Sequence, residues 1–176
     1  MRGRALLALL PVLLAGPARA DDAAAMAAVA NGFYAARIAL GPAADGIPGA
    51  TGRVRLAPFL SPELIRALAD AAAADTRFHA AMPSAPSLME GDLFSSLLDG
   101  PTAWKVDVCA PGGRRCTVTL THAVPGRAAV TWRDTLLMTK TAGGWRIGDI
   151  AYDPGLPSGN SGRLSEVLEM VESEAR

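Results

Sequence analysis

The stretch that decides the fold is residues 130–152, with the sequence VTWRDTLLMTKTAGGWRIGDIAY. Apolar and polar residues alternate with a period of two on both sides of residues 142–144, Ala-Gly-Gly, which have the composition of a turn. This pattern predicts two antiparallel strands joined by a hairpin. The apolar phase of the first strand runs from Val130 to Met138, and that of the second begins at Trp145. We expect these residues to form the inward face of a sheet.

Two further strands are predicted before this hairpin. Trp104 and Val106 alternate with charged residues, and threonines alternate with apolar residues over 117–124. Pro-Gly-Gly at 111–113 and Pro-Gly-Arg at 125–127 favour hairpin turns between the strands. The run from 104 to 152 therefore predicts an antiparallel meander of about four strands.

Helices are predicted on both sides of this meander. Apolar residues recur every three to four positions over 23–40. Ser61 followed by Pro62 predicts the start of a second helix, because serine is a good N-cap and proline fits the first helical position; this helix should end near His79. A last helix is predicted from Leu164. The chain is therefore expected to be an α+β domain, with helices packed on a curved antiparallel sheet and a helix at the C-terminus.

The segments between the helices and the first strand are rich in glycine and proline. Residues 41–53 and 82–91 are predicted to be loops for this reason. Asp92 is expected to cap a short turn of helix over 93–98, which Gly100 would end.

The N-terminus has the pattern of a secretory signal peptide. Arg2 and Arg4 precede an apolar run over 5–15, and Ala-Arg-Ala at 18–20 fits the small-x-small pattern of a cleavage site. An apolar core of about 11 residues is shorter than the roughly 20 that span a membrane. We expect residues 1–20 to be cleaved after Ala20, leaving a single domain over 21–176 that is exported to the periplasm or secreted. The alternatives are an N-terminal anchor or a buried helix.

The charge of the mature chain argues against a nucleic-acid partner. The whole chain has 17 basic and 17 acidic residues. Cleavage after Ala20 removes three arginines and no acid, which leaves 14 basic and 17 acidic residues and a formal charge of −3. Nucleic-acid binding favours a clustered basic face instead. We also expect no transmembrane segment after cleavage, no cofactor and no metal site.

The two cysteines predict a disulfide. Cys109 and Cys116 are the only cysteines, and exported proteins commonly oxidise such a pair. If they lie opposite each other, Val106 falls opposite a threonine. Pairing Val106 with Leu120 would need one extra residue in one strand, so we expect a β-bulge beside the disulfide.

Three polar residues fall in the apolar phase of the predicted strands: His122, Asp134 and Asp149. A four-residue turn over 140–143 would place the two aspartates side by side. Two adjacent carboxylates can share a proton, with one pKa raised and one lowered, and so carry acid–base chemistry. We expect a pocket with this pair at its floor. Its six candidate residues are Asp134, Asp149, His122, Tyr34, Arg37 and Trp132.

The same residues have structural interpretations. Either aspartate could cap a helix, hold the loop after Tyr152, or pair with Arg37 or Arg66. A histidine at the end of a strand is more often part of the packing than of a site. Trp132 shares the inward phase with Trp104 and Trp145, which favours a place in the core over a ligand platform.

Several segments together resemble a family of small exported bacterial proteins of unknown function, related in shape to nuclear transport factor 2-like, or SnoaL-like, proteins. The segments are Phe33-Tyr34, Leu60-Ser61-Pro62-Glu63-Leu64, Gly91-Asp92-Leu93-Phe94-Ser95-Ser96, Trp132-Arg133-Asp134 and Gly144-Trp145-Arg146-Ile147-Gly148-Asp149-Ile150-Ala151-Tyr152. The resemblance implies a cone-shaped fold of the cystatin-like or SnoaL-like kind, with a pocket between sheet and helices. Gly148 stands where this pattern leads us to expect a polar residue.

Three functions follow as hypotheses. The first is a non-enzymatic exported protein that binds a small ligand or a periplasmic protein at the mouth of the cone. The second is a small enzyme that uses Asp134 and Asp149 as acid and base. The third is a periplasmic inhibitor or immunity-type protein, which would contact its target through residues 41–53 or the loop over 109–116.

Overall fold

The computed structural model describes residues 17–41, 45–156 and 159–175, and it shows an α+β fold. In chain order the elements are α1 (Pro17–Leu40), α2 (Ala50–Leu56), α3 (Pro62–Ala81), β1 (Ala103–Ala110), β2 (Arg115–His122), β3 (Val130–Thr141), β4 (Gly144–Ala151) and α4 (Leu164–Glu174). The four strands form one antiparallel sheet in the order β1-β2-β3-β4. The fold class, the four-stranded meander and the C-terminal helix are therefore confirmed.

The first hairpin contains the expected bulge. Cys109 lies opposite Cys116, and the register shifts by one residue between Val106 and Val108. The extra residue is Asp107, on β1, so the partner of Val106 is Val118. The bulge is confirmed, but the predicted pairing of Val106 with Leu120 is wrong. The shift joins two inward-facing valines and leaves Asp107 on the polar face, where it accepts a hydrogen bond from Thr119 Oγ1 at 2.6 Å.

The second hairpin differs from the prediction in its turn. Thr141 pairs with Gly144, so the turn has two residues instead of four. A bulge between Leu137 and Met138 then makes Gly148 the unpaired residue and places Asp149 opposite Leu137. A Cβ at Gly148 would lie 2.7 Å from Thr139 Oγ1, so a larger residue would force the Thr139 side chain to move. This contact favours glycine over a polar residue at 148.

Helix α1 uses one face to cover the sheet. Met26, Ala30, Phe33 and Tyr34 are fully buried in the core, at the spacing of three to four residues that the sequence predicts. The helix begins before residue 23, and the basic and apolar start of the leader over 1–16 lies outside the described residues. By length and composition α1 could also cross a membrane. The absence of a span after cleavage therefore stays a prediction.

The remaining helical segments bring one confirmation and two corrections. Helix α3 starts as predicted, with Ser61 Oγ accepting a hydrogen bond from Leu64 N at 3.2 Å. The predicted loop over 41–53 is wrong at its end, because α2 begins at Ala50 and buries Leu56. The predicted turn of helix over 93–98 is also wrong. Those residues form a series of non-helical turns, in which Asp92 Oδ1 accepts a hydrogen bond from Phe94 N at 2.7 Å.

Cys109 and Cys116 form the predicted disulfide, which closes the β1–β2 hairpin. Changing both cysteines to serine should lower the free energy of unfolding by about 2–3 kcal/mol, because the closed loop is short and its entropic constraint is correspondingly limited. Urea unfolding of the oxidised wild type and the double variant measures this difference. A reducing agent should destabilise the wild type and leave the variant unchanged; equal stability of the two proteins would contradict a structural role for the bond.

Candidate functional site

Asp134 is fully buried and holds a loop instead of lining a pocket. Its Oδ2 accepts hydrogen bonds from Ser96 N at 3.0 Å and Trp132 Nε1 at 3.2 Å. Its Oδ1 accepts from Ser96 Oγ and from Asp153 N, the latter at 3.1 Å. Each carboxylate oxygen therefore has two donors. Burial raises the pKa of Asp134, and the donors oppose this shift by stabilising the charged form.

The segment that Asp134 holds, residues 92–96, will be called the buried loop. Each of its five residues is buried, although none lies in a helix or in β1–β4. Asn160 Nδ2 donates to the carbonyls of Asp92 and Ser95 at 2.7 and 2.8 Å, and Tyr152 Oη donates to the carbonyl of Leu93 at 2.7 Å. These side chains replace the partners that a helix or sheet would have supplied to the backbone.

Arg37 forms a buried ion pair with the first residue of this loop. Its Nη2 lies 2.9 Å from Asp92 Oδ2 and its Nε donates to Asp92 Oδ1 at 3.2 Å. Burial raises the pKa of Asp92, while the guanidinium of Arg37 opposes the shift. The buried position of Arg37, which is 6% exposed, agrees with its place on the apolar stripe of α1. Its partner, however, is neither of the aspartates that the sequence singled out.

Asp149 caps α4. Its Oδ1 accepts from Ser165 N at 3.1 Å and its Oδ2 from Ser165 Oγ at 2.8 Å. Asp149 pairs with Leu137 in the sheet, whereas Asp134 precedes the last ladder pair, Thr135 with Ala151. The predicted pairing of Asp134 with Asp149 is therefore wrong. The two-residue turn and the Gly148 bulge move the carboxylates out of register, and each has its own set of donors.

Of the other three candidates, His122 and Tyr34 have partners of their own, whereas Trp132 donates to Asp134. His122 Nδ1 donates to the carbonyl of Gly100 at 2.6 Å. Tyr34 is fully buried and stacks on Trp104, with ring centroids 6.5 Å apart. Burial also raises its pKa well above the usual range for tyrosine, so its hydroxyl stays neutral. Trp132 is in the core. Among the six predicted pocket residues a hydrogen bond joins Asp134 and Trp132, and the predicted floor of two paired carboxylates is wrong.

An open cleft of about 340 Å³ lies beside Arg37. Its other lining residues include Asp45, Asp99 and Thr102. Asp45 has a side chain that is 60% exposed, with its Oδ1 3.8 Å from Arg37 Nη2. This volume lies at the small end of the range for small-molecule sites.

No protein-family model, curated protein or solved structure matches this sequence. The resemblance to nuclear transport factor 2-like proteins therefore stays a prediction, and the function must be inferred from the site itself.

Sequence reasoning missed the residues that complete the network: Asp92 as an ion-pair partner, Ser96, Asp153 and Asn160. A signal was present in the run from Asp92 to Ser96, where polar residues flank Leu93 and Phe94 without the period of a helix or a strand. Such a run is hard to interpret alone, because its partners lie far away in the chain. Ser96 and Asp134 are separated by 38 residues.

Replacing Asp134 with asparagine should destabilise the fold by about 2–4 kcal/mol, because the amide NH₂ would face two donors whichever way it turned. Urea unfolding at pH 7 measures the loss. Asp70→Asn is the matched control, since Asp70 is an exposed acid on α3. A D134N protein as stable as D70N would contradict the role assigned to this carboxylate.

The stability should also depend on pH through Asp134. Because its pKa in the folded state is raised, protonation favours the folded protein; the stabilisation that this shift adds is fully present below the unfolded pKa of about 3.8 and is lost as pH rises through the folded pKa. The stability deficit of D134N relative to wild type should therefore be larger at pH 4 than at pH 7. Chemical unfolding of both proteins at the two pH values measures it. A deficit that shrinks at pH 4 would contradict the raised pKa.

Proposed function

We propose that this chain is an exported, non-enzymatic binding protein and that the cleft beside Arg37 takes a small cationic ligand. The observation that carries the proposal is the exposed acid Asp45 on a cleft whose one lining arginine is already paired with buried Asp92 at 2.9 Å. The buried carboxylate of Asp92 therefore balances the charge of Arg37. Asp45 and Asp99 leave the rim of the cleft negative.

A ligand with an amine or guanidinium group fits this charge. Such a group can donate several hydrogen bonds to carboxylates, and the attraction operates at moderate range in low salt. Thr102 adds a hydroxyl on the same wall. Two acids and one arginine line the cleft, and the arginine already has Asp92 as a partner, so the charge of the lining favours a cation.

Export is supported by two features of the chain. The apolar helix α1 follows a leader with a positive start and an apolar core, and the Cys109–Cys116 disulfide is typical of an oxidising compartment. The periplasm is the compartment that we propose, with cleavage after Ala20.

The contacts of the two aspartates do not support the site on which the enzymatic alternative depends. It requires Asp134 and Asp149 to share an accessible cavity, whereas Asp134 is buried under the loop it holds and Asp149 caps a helix. The inhibitor alternative stays a prediction. The first of its two predicted contact segments, residues 41–53, has less support than the loop over 109–116. Residues 45–56 are tied to the domain by the bond from Gly46 N to the carbonyl of Gly91 at 2.6 Å and by buried Leu56.

The binding proposal predicts a selective thermal shift. Putrescine, spermidine, agmatine and arginine amide would be tested against citrate and phosphate, at low salt and pH 7. At about 100 times Kd, a bound cation should raise Tm by roughly 5–10 °C, since it binds only the folded state. Isothermal titration calorimetry then gives the stoichiometry and the affinity.

The control compares two double variants of equal charge. Asp45→Asn with Asp99→Asn should abolish the shift, whereas Asp70→Asn with Glu169→Gln, two exposed acids on α3 and α4, should preserve it. If none of the four cations shifts Tm, or if both double variants lose the shift equally, the cleft is not a specific cation site.

A further inference from the structure

Helix α1 continues through the predicted cleavage point. It begins at Pro17, so the bond between Ala20 and Asp21 lies within its first two turns. A peptidase acts on a locally opened chain, and a helical bond becomes accessible only when the helix unwinds. In the folded domain this bond is therefore shielded by backbone geometry, although Ala20 and Asp21 are exposed.

Asp22, two residues after the bond, ties the start of α1 to the second hairpin. Its carboxylate accepts hydrogen bonds from Lys140 Nζ at 2.9 and 3.1 Å and from Trp145 Nε1 at 2.8 Å. These donors lower the pKa of Asp22, with the Lys140 hydrogen bond as the largest cause. The first fully buried residue of α1 is Met26, beyond this tie. Removal of residues 1–20 would therefore leave both the tie and the core intact.

The placement of acids suits a helix that starts at Asp21. A helix that begins at Pro17 has no acid in its first turn. After cleavage the first turn would hold Asp21 and Asp22, where carboxylates interact favourably with the helix dipole. Cleavage also creates an α-ammonium group at Asp21, and its charge at a helix N-terminus is unfavourable unless an acid compensates it. Asp22 already binds Lys140 and Trp145 in the full chain, and after cleavage both acids would also stand beside the new α-ammonium group.

We propose that the Ala20–Asp21 bond is a processing site that is cut before α1 folds, and that Asp21 and Asp22 form the compensating first turn of the processed helix. The inference rests on the export proposed above. A signal peptidase hydrolyses the amide: water adds across the C–N bond, leaving a carboxylate on Ala20 and the ammonium on Asp21. Once α1 docks, Asp22 holds the new terminus against Lys140 and Trp145.

The first test is the mass of the exported chain. Expression of the full chain in a Gram-negative host, followed by intact mass spectrometry of the periplasmic fraction, should give a protein that begins at Asp21. Absence of the protein from the periplasmic fraction would overturn the export proposal, whereas a periplasmic protein that keeps residues 1–20 would overturn this inference and leave export standing. A protein cut at any bond other than Ala20–Asp21 would overturn this inference and leave export standing.

The second test compares the acid pair in both forms of the chain. Asp21→Asn with Asp22→Asn should lower Tm more in the processed chain than in full-length protein made without export, because only the processed chain begins its helix there. Asp70→Asn with Glu169→Gln is the control and should affect both forms alike. An equal loss of Tm in the two forms from the Asp21/Asp22 pair would refute the compensating role.

The third test addresses the order of events. Purified signal peptidase in detergent is given folded full-length protein and the Phe33→Asp variant, in which a buried α1 residue is made charged so that the helix cannot dock. The variant should be cut several-fold faster at Ala20–Asp21. Equal rates would show that folding does not protect the bond.

Discussion

The Asp134 carboxylate, with its four donors, is the constraint on which the domain depends. The buried loop, residues 92–96, runs through the interior without a helix or strand to pair its backbone, and each unpaired buried amide would cost about 1–3 kcal/mol. Asp134 satisfies Ser96 directly and also accepts a hydrogen bond from Asp153 N, in the loop after β4. Because one side chain joins strand β3, the buried loop and the loop after β4, the three can form only together.

This network also determines where function can lie. A cone-shaped α+β fold can keep a cavity between its helices and its sheet, but here Leu93 and Phe94 are fully buried among core residues from both layers. Phe94 packs edge-on against Phe33 of α1, with ring centroids 5.5 Å apart. Leu93 and Phe94 therefore fill space between the helices and the sheet. The binding that we propose lies at the surface instead, in the cleft beside Arg37, whose partner Asp92 begins the buried loop.

The sequence predicted what depends on neighbouring residues. The strands followed from period-two alternation, the start of α3 from Ser61 and Pro62, and the disulfide from the only two cysteines. The prediction of the carboxylate pair failed on register. The two-residue turn shifts the β3–β4 pairing by two positions and the bulge at Gly148 shifts it by one more, so Asp149 lies opposite Leu137 instead of Asp134. The structural alternatives for the aspartates were correct in kind: one caps a helix and the other holds the loop after Tyr152.

His122 contacts the backbone of the cleft beside Arg37. It was predicted to be a pocket residue, and it instead donates to the carbonyl of Gly100 at 2.6 Å. Gly100 lies between Asp99 and the other residues of one cleft wall, while Asp45 on the opposite side pairs with Asp92 through a β-bridge. The backbone of one side is therefore attached to the partly buried His122 of β2, and that of the other side to Asp92 of the Arg37 ion pair. We expect these attachments to lower the ordering cost of the binding that we propose, because the backbone on both sides is already hydrogen-bonded in the folded domain.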